Sequence, residues 1–381
     1  MRLIYIANMR LPTEKAHGIQ IMKMCEAFAL SGIEVELVVP WRFNPMKEDP
    51  FEYYGVEKNF EITKLPCIDL MPLARFLGRL AFWIQSFSFA KSAFWYAFFK
   101  KADIIYSRDV PPLFFLSFFK RNLVWENHNR NFNFIVRRVL KKCRKIIVIT
   151  KGLKDFYISK GAELDKILVA PDGVDIEKFN IDISKEKARQ KLNLPLDKIL
   201  IGYAGMFRTM GMEKGIDVAV KTLNYLDEQH ILVLVGGRNK DIEFYQKLAK
   251  DWSLEDRVLF IGQVKHREVP FYLKAFDVLI APFPDNEHYR LYMSPLKIFE
   301  YMASQRPIAA SDLPSLREVL NEENSVLIEP DNPRSLAEGV KNILQNVKFA
   351  DKISKQAYSD VQKFTWEKRA ERILGFVSEK V

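Results

Sequence analysis

Cysteine is scarce in this 381-residue chain: only Cys25, Cys67 and Cys143 occur, far apart. They form neither a Cys-x-x-Cys pair nor an even framework, which argues for a reducing compartment and against a disulfide scaffold or a structural zinc. No Gly-x-Gly-x-x-Gly follows the first apolar run, which discounts a nicotinamide-dependent oxidoreductase. No Asp-x-Asp pair stands out at a strand end. RNA-binding signatures are absent. The opening "MRLIYIANMR" is closed by Asn8 and Arg10. Its apolar run is too short for a signal peptide and reads as a first strand, so the expected location is the cytoplasm.

What is present is apolar and basic. A hydrophobic content of 48% in a chain of this length supports two cores rather than one. The formal charge is +10, from 58 lysines and arginines against 48 acids. Residues 1–165 hold 26 of the basic and 16 of the acidic residues, and the remainder balances at 32 against 32. The whole excess therefore lies in the N-terminal part, which suits an anionic partner: a membrane surface, a phosphorylated substrate or nucleic acid.

Strand-like runs recur at 3–7, 35–40, 103–108, 123–127, 145–150 and 166–171, and again at 198–205, 231–237, 257–262, 277–283, 307–311 and 325–330. Segments of helical period separate most of them, such as 19–32 and 215–228. Near-continuous apolar strands alternating with helices predict an α/β fold of two doubly wound, Rossmann-like domains with parallel sheets. The polar stretch 172–198 reads as the linker. Ligands of such sheets bind beyond the carboxyl ends of the strands, so the expected site is a cleft between the two domains.

Four segments fall just after strands. In "HGIQ" (17–20), Gly18 would let backbone approach a ligand at a helix start, although tight turns use Gly for sterics as often. "GMFRTMGMEKG" (205–215) sets Arg208 and Lys214 in a Gly-punctuated loop, a pairing suited to a diphosphate and equally to a solvated basic loop. "SPLKIFEYMASQRPIAASD" (294–312) begins as a helix, with Ser294 as cap and Pro295 at the first position. Leu296, Phe299 and Ala303 share its apolar face, and Glu300 falls inside that stripe, where it could accept two ribose hydroxyls or simply be solvated. "WENHN" (125–129) places His128 just past a strand, where an ordinary buried or surface role is as natural as a catalytic one.

Together these segments closely resemble the retaining glycosyltransferases of family 4, with the two-domain B fold. The most specific match is "SPLKIFEYMASQRPIAASDLPSLREVL" (294–320), supported by "PDGVDIEKF" (171–179), "YAGMF" with "EKGID" (203–217) and "AHGIQIMKMCEAFALSGIEVELV" (16–38). The resemblance implies an acceptor-binding domain over 1–180, a nucleotide-sugar domain over 181–356, and a last helix, 357–381, crossing back onto the first domain. It assigns Glu300 to the ribose hydroxyls and Arg208 and Lys214 to the diphosphate. Backbone groups at Pro295, Leu296 and Lys297 would meet phosphate or sugar oxygens, with Ser294 opening the helix. His128 would lie against the donor sugar, Gly18 and Gly205 would border the phosphates, and backbone near Val264, in "IGQVKH" (261–266), would read the base.

The implied reaction is metal-free hexosyl transfer with retention, from a UDP- or GDP-linked sugar to a sugar, glycan or lipid-linked acceptor, as in glycan, lipopolysaccharide or glycolipid assembly. No other cofactor and no nucleic acid partner is implied. Two departures stand out. The family pairs two glutamates eight positions apart, but Tyr292 stands where the first should be, with Asp285 and Glu287 as candidate replacements. The loop from Gly205 to Lys214 is also longer than the common pattern, which loosens the alignment of Arg208. A sugar-nucleotide 2-epimerase fits the same architecture less well, and a non-enzymatic basic membrane-binding module explains the charge but not the motifs. Finally, the aromatic stretch 75–101 is interrupted by Arg79, Gln85 and Lys91 before it could span a bilayer. It suits either an interfacial helix, aided by "RRVLKKCRK" (137–145), or a plain core helix.

Overall fold

The computed structural model describes residues 1–209 and 211–379. The chain forms two compact units: Met1–Asp172 with the stretch from Trp366 onward, and Gly173–Thr365.

The first unit holds a seven-stranded sheet of β1 (Arg2–Ile6), β2 (Glu34–Pro40), β3 (Glu61–Leu65), β4 (Ile104–Ser107), β5 (Leu123–Asn127), β6 (Lys145–Val148) and β7 (Ile167–Val169). The spatial order is β3-β2-β1-β4-β5-β6-β7, and every pairing is parallel. The body of β1 is apolar because helices cover both faces: Leu3, Ile4, Tyr5 and Ile6 are all buried. Each such side chain contributes roughly 1.5–3 kcal/mol of burial. The chain order reverses between β1 and β4, so residues just beyond these strands flank the switch point where such sheets bind ligands.

The second unit repeats the plan. Its six-stranded parallel sheet comprises β8 (Ile199–Ala204), β11 (His230–Val235), β12 (Val258–Gly262), β13 (Val278–Ala281), β14 (Ile308–Ser311) and β15 (Val326–Ile328), with β9 (Arg208–Thr209) and β10 (Met212–Glu213) forming a separate small hairpin. The order β12-β11-β8-β13-β14-β15 puts the switch point between β8 and β13.

Three expectations need correction. The stretch 172–198 is not a linker and the first boundary is not at 180: the chain changes unit at Asp172 and Gly173. Val174, Phe179, Ala188 and Leu194 are buried in the core of the second unit, and Arg189 donates to Asp277 Oδ2 at 2.5 Å and to the Ala275 carbonyl at 2.8 Å. Sparse apolar residues at the right positions, plus one buried arginine, anchor a segment that reads as polar. Nor is 357–381 one helix. Val347–Val361 belongs to the second unit, and a new helix, Trp366–Ser378, packs on Ala16–Leu30 of the first. Strand β3 is an addition; as a sheet edge with burial on few positions, "EITKL" lacks a continuous apolar signal.

The helix Arg79–Phe99 is turned the unusual way round. Its buried face is small and polar, with Ala81, Gln85, Ser86, Ala90, Ala93 and Ala97 beside Phe89, while Phe82, Trp83, Phe87, Trp95 and Phe99 are exposed. Among the described residues no helix is long and apolar enough to cross a membrane.

Candidate functional site

In the second unit the predicted residues gather at the carboxyl ends of β8 and β13. Lys214 follows the β9–β10 hairpin, its N–H donating to the Phe207 carbonyl at 3.1 Å. Burial pulls its ammonium down to about 8. Next to it, His288 is held below its ordinary value by burial and by Lys214.

The helix Leu296–Ala303 points its N-terminus into this region. Pro295 is its N-cap and no side chain caps it, so Ser294 lies one residue outside the position expected for it. The first N–H groups of a helix have no intrahelical acceptor, so they are donors for a ligand. Tyr301 ties the helix to the end of β8, its hydroxyl accepting from the Ala204 N–H at 2.8 Å. Glu300, one turn in, accepts from His266 Nε2 at 2.8 Å, and the His266 ring lies edge-on to Phe179 at 5.5 Å. His266 was not singled out in sequence, although it closes the segment "IGQVKH" that was. Val264, two residues earlier, packs its side chain against the core of the unit.

Lys297 behaves differently from expectation. Its side chain, and not only its backbone, enters the site: the residue is 7% exposed and its Nζ sits 3.4 Å from the centre of the Tyr203 ring and 5.6 Å from that of Phe283. Gly205 makes room for it. At φ +134° this glycine adopts a conformation closed to most residues, and a Cβ there would stand 3.0 Å from both Cε and Nζ of Lys297. No hydrogen-bond acceptor meets that Nζ.

Arg208 has partners of its own. The extra loop length folds into the hairpin, where Arg208 pairs across from Glu213. The guanidinium donates to the Glu213 carboxylate at 2.5 Å and lies 4.4 Å from the centre of the Phe244 ring. Asp285, a candidate for the missing acid, is engaged by Arg290 at 2.9 Å, and Tyr292 itself is buried.

In the first unit, His128 stands beyond β5 within a buried charged network. Glu126 accepts at one oxygen from Gln20 at 2.7 Å, His128 Nε2 at 2.7 Å and Arg369 at 2.8 Å, and at the other from the Tyr106 hydroxyl. Arg108 in turn donates to Gln20 at 2.6 Å. Burial opposes ionisation of Glu126, but Arg369 and His128 hold its carboxyl well below the usual range. Burial and Arg108 keep His128 below its ordinary value. A neutral ring donating from Nε2 to the carboxylate keeps Nδ1 as its acceptor.

Glu126, His128 and Asp172 are the one trio of metal-ligand type among the described residues. With four donors already on the Glu126 carboxylate, one of them a guanidinium, the arrangement suits a held histidine better than a cation. Gly18 has a steric reason of its own, since a Cβ would fall 2.3 Å from the Tyr54 hydroxyl oxygen. Arg108, Gln20 and Arg369 went unnoticed in sequence because they come from three remote segments.

Residues 18–178 match the family model of Glycosyltransferase Family 4, and residues 184–360 that of Glycosyl transferases group 1. A D-inositol 3-phosphate glycosyltransferase of Xylanimonas cellulosilytica is 30% identical over 228 residues, covering 58% of this chain and 52% of that protein. The O-antigen chain mannosyltransferase RfbU of Salmonella typhimurium is 25% identical over 56% of this chain and 55% of its own. The chain thus spans about half the length of the curated relatives it matches. Among solved structures, Anabaena HepE in complex with UDP and glucose superposes with a TM-score of 0.76 at 17% identity, covering 99% of both chains. Sucrose-phosphate synthase from Thermosynechococcus elongatus gives 0.78 at 20% identity over 98% of both. These likenesses show the fold, two Rossmann-like domains of the glycosyltransferase B type. With one family model on nearly all of the first sheet and another on nearly all of the second unit, the chain belongs to the family 4 glycosyltransferases.

Proposed function

We propose that this glycosyltransferase moves a hexose from a nucleotide-diphosphate sugar, UDP- or GDP-linked, to an acceptor hydroxyl with retention of anomeric configuration, and that no metal takes part. The observation that carries the reading is the company of Lys214 and Glu300 around the uncapped N-terminus of the helix Leu296–Ala303. A partly desolvated cation and free N–H groups suit a diphosphate, and a carboxylate one turn on suits ribose hydroxyls. Positive charge preset where the leaving group gains negative charge lowers the barrier as a metal would.

The first unit is assigned the acceptor, and His128, held by Glu126, the transfer step rather than nucleotide binding. The UDP complexes of HepE support a nucleotide-sugar donor by analogy of fold. The acceptor is assigned as a sugar, glycan or lipid-linked hydroxyl; of the relatives, one is named for D-inositol 3-phosphate and one for an O-antigen chain.

We further assign a peripheral site on the cytoplasmic face of an anionic bilayer. Exposed Phe76, Trp83, Trp95 and Phe99 are flanked by exposed Arg75, Arg79 and Lys91. Ring contacts run on from Phe98 through Phe119, Phe118 and Phe114 to Phe134, beside exposed Arg137, Lys141 and Lys142. Aromatic rings with basic neighbours match the lipid headgroup zone.

The deciding experiment follows the anomeric proton of the product by NMR, with and without EDTA. Retained configuration and turnover that survives chelation are expected. Inversion, or a strict divalent-metal requirement, overturns the mechanism, and a C2-epimerised sugar nucleotide without transfer favours the epimerase.

A further inference from the structure

Resting on the donor-site reading above, we propose that the Lys297 ammonium, rather than the Arg208 guanidinium, joins Lys214 in holding the donor diphosphate and taking up the charge of the leaving group. Three observations independent of any motif meet at Lys297. Its Nζ is buried with no hydrogen-bond acceptor. A glycine at positive φ, Gly205, leaves the space it occupies, and the faces of Tyr203 and Phe283 form its floor. It belongs to the first turn of the helix Leu296–Ala303, whose N-terminal N–H groups present positive partial charge in the same place.

A buried ammonium without an acceptor is costly, and a chain can keep one where a ligand supplies the anion. The nearby carboxylate, Glu300, is engaged by His266. Arg208 has its own partner in Glu213 and an aromatic shelf in Phe244, so its charge is already answered. Arg208 is engaged within the β9–β10 hairpin, and the place beside Gly205 is taken by Lys297.

In the reaction, the bond from the anomeric carbon to the β-phosphate oxygen breaks with its electron pair going to that oxygen. The acceptor oxygen bonds to the anomeric carbon, and the acceptor proton passes to the departing phosphate. Lys297 forms no covalent bond; it offsets the charge that appears on the diphosphate.

The same group of residues carries a second signature. Burial, and then Lys214, hold Lys297 well below the ordinary lysine range, with Glu300 opposing. Lys214 is itself brought down to about 8, His288 beside it is lowered, and Tyr203 and Tyr301 are raised and stay neutral. A bound diphosphate favours the charged lysine, so binding takes up a proton and affinity falls as pH rises.

The test uses the full chain, with UDP-glucose and GDP-mannose as probes because their phosphates do not titrate near neutrality. Calorimetry in two buffers of different ionisation enthalpy reads affinity and proton uptake, and turnover is measured with the better-bound donor. Lys297→Met is expected to lose about 100-fold in turnover, with weaker binding and diminished proton uptake, and to exceed the loss in Arg208→Gln by about tenfold. Thermal unfolding checks that each variant folds, and Lys297→Gln is a second neutral replacement should Lys297→Met fail to fold. A folded neutral variant with turnover and proton uptake close to wild type, or a larger loss at Arg208, overturns the proposal. If the wild-type chain binds neither donor, the donor-site reading falls with it; if the wild type binds and Lys297→Met binds equally, only the role of Lys297 falls.

Discussion

His17 shows how much a single side chain is constrained by the charges around it. Burial, then Arg108 and Lys15, bring its ring down to about 4, so it is neutral in the folded protein at pH 7. The folded value lies below the unfolded value of about 6.5, so the unfolded chain binds the proton more tightly between these limits. Stability from this group is therefore complete above about pH 6.5 and is lost as pH falls toward 4. In urea unfolding at pH 7.5 and pH 5, His17→Gln should lose less stability between the two than the wild type; an equal loss would show that the ring is already charged in the fold. Glu300 and Lys214 stand out in the sequence because a helix start and a Gly-punctuated loop mark them. The buried placement of the Lys297 side chain does not, because it depends on Gly205 and Tyr203, some 90 positions earlier.

Among the elements, the helix Trp366–Ser378 contributes most through one residue. Arg369 donates to Glu126 at 2.8 Å and to the carbonyls of Pro171 at 2.9 Å and Ala170 at 3.1 Å, and is itself buried. Burial works against its charge, but Glu126, Tyr106 and Asp172 more than offset that. Arg369→Met leaves a buried carboxylate uncompensated and should destabilise the first unit by about 3–5 kcal/mol. Adding Glu126→Gln should recover part of the loss, and a strictly additive double mutant in denaturant unfolding would count against a coupled pair. The twelve apolar strands were readable because parallel strands buried on both faces carry a near-continuous signal. Strand β3 was not, since only Leu65 at its end is fully buried. The segment at 172–198 reads as a linker for the same reason, its attachment resting on a few residues such as Phe179 and Arg189.

At the scale of the whole molecule, two features await test: the exposed aromatic and basic surface of the first unit, and the lysines beside the helix Leu296–Ala303 of the second. Low-salt co-sedimentation with vesicles containing anionic lipid should capture the chain, and high salt or Trp83→Ser with Trp95→Ser should release it. Absence of binding at low salt would assign the charge excess to a soluble phosphorylated acceptor. The central claim concerns the second unit, and titration of UDP, GDP and ADP into the full chain tests it most directly. UDP or GDP should bind and raise the unfolding temperature, and Glu300→Ala and Lys214→Met should each weaken that binding by roughly 2–4 kcal/mol. No stabilisation by any of the three, or binding undiminished in both folded variants, would contradict the account.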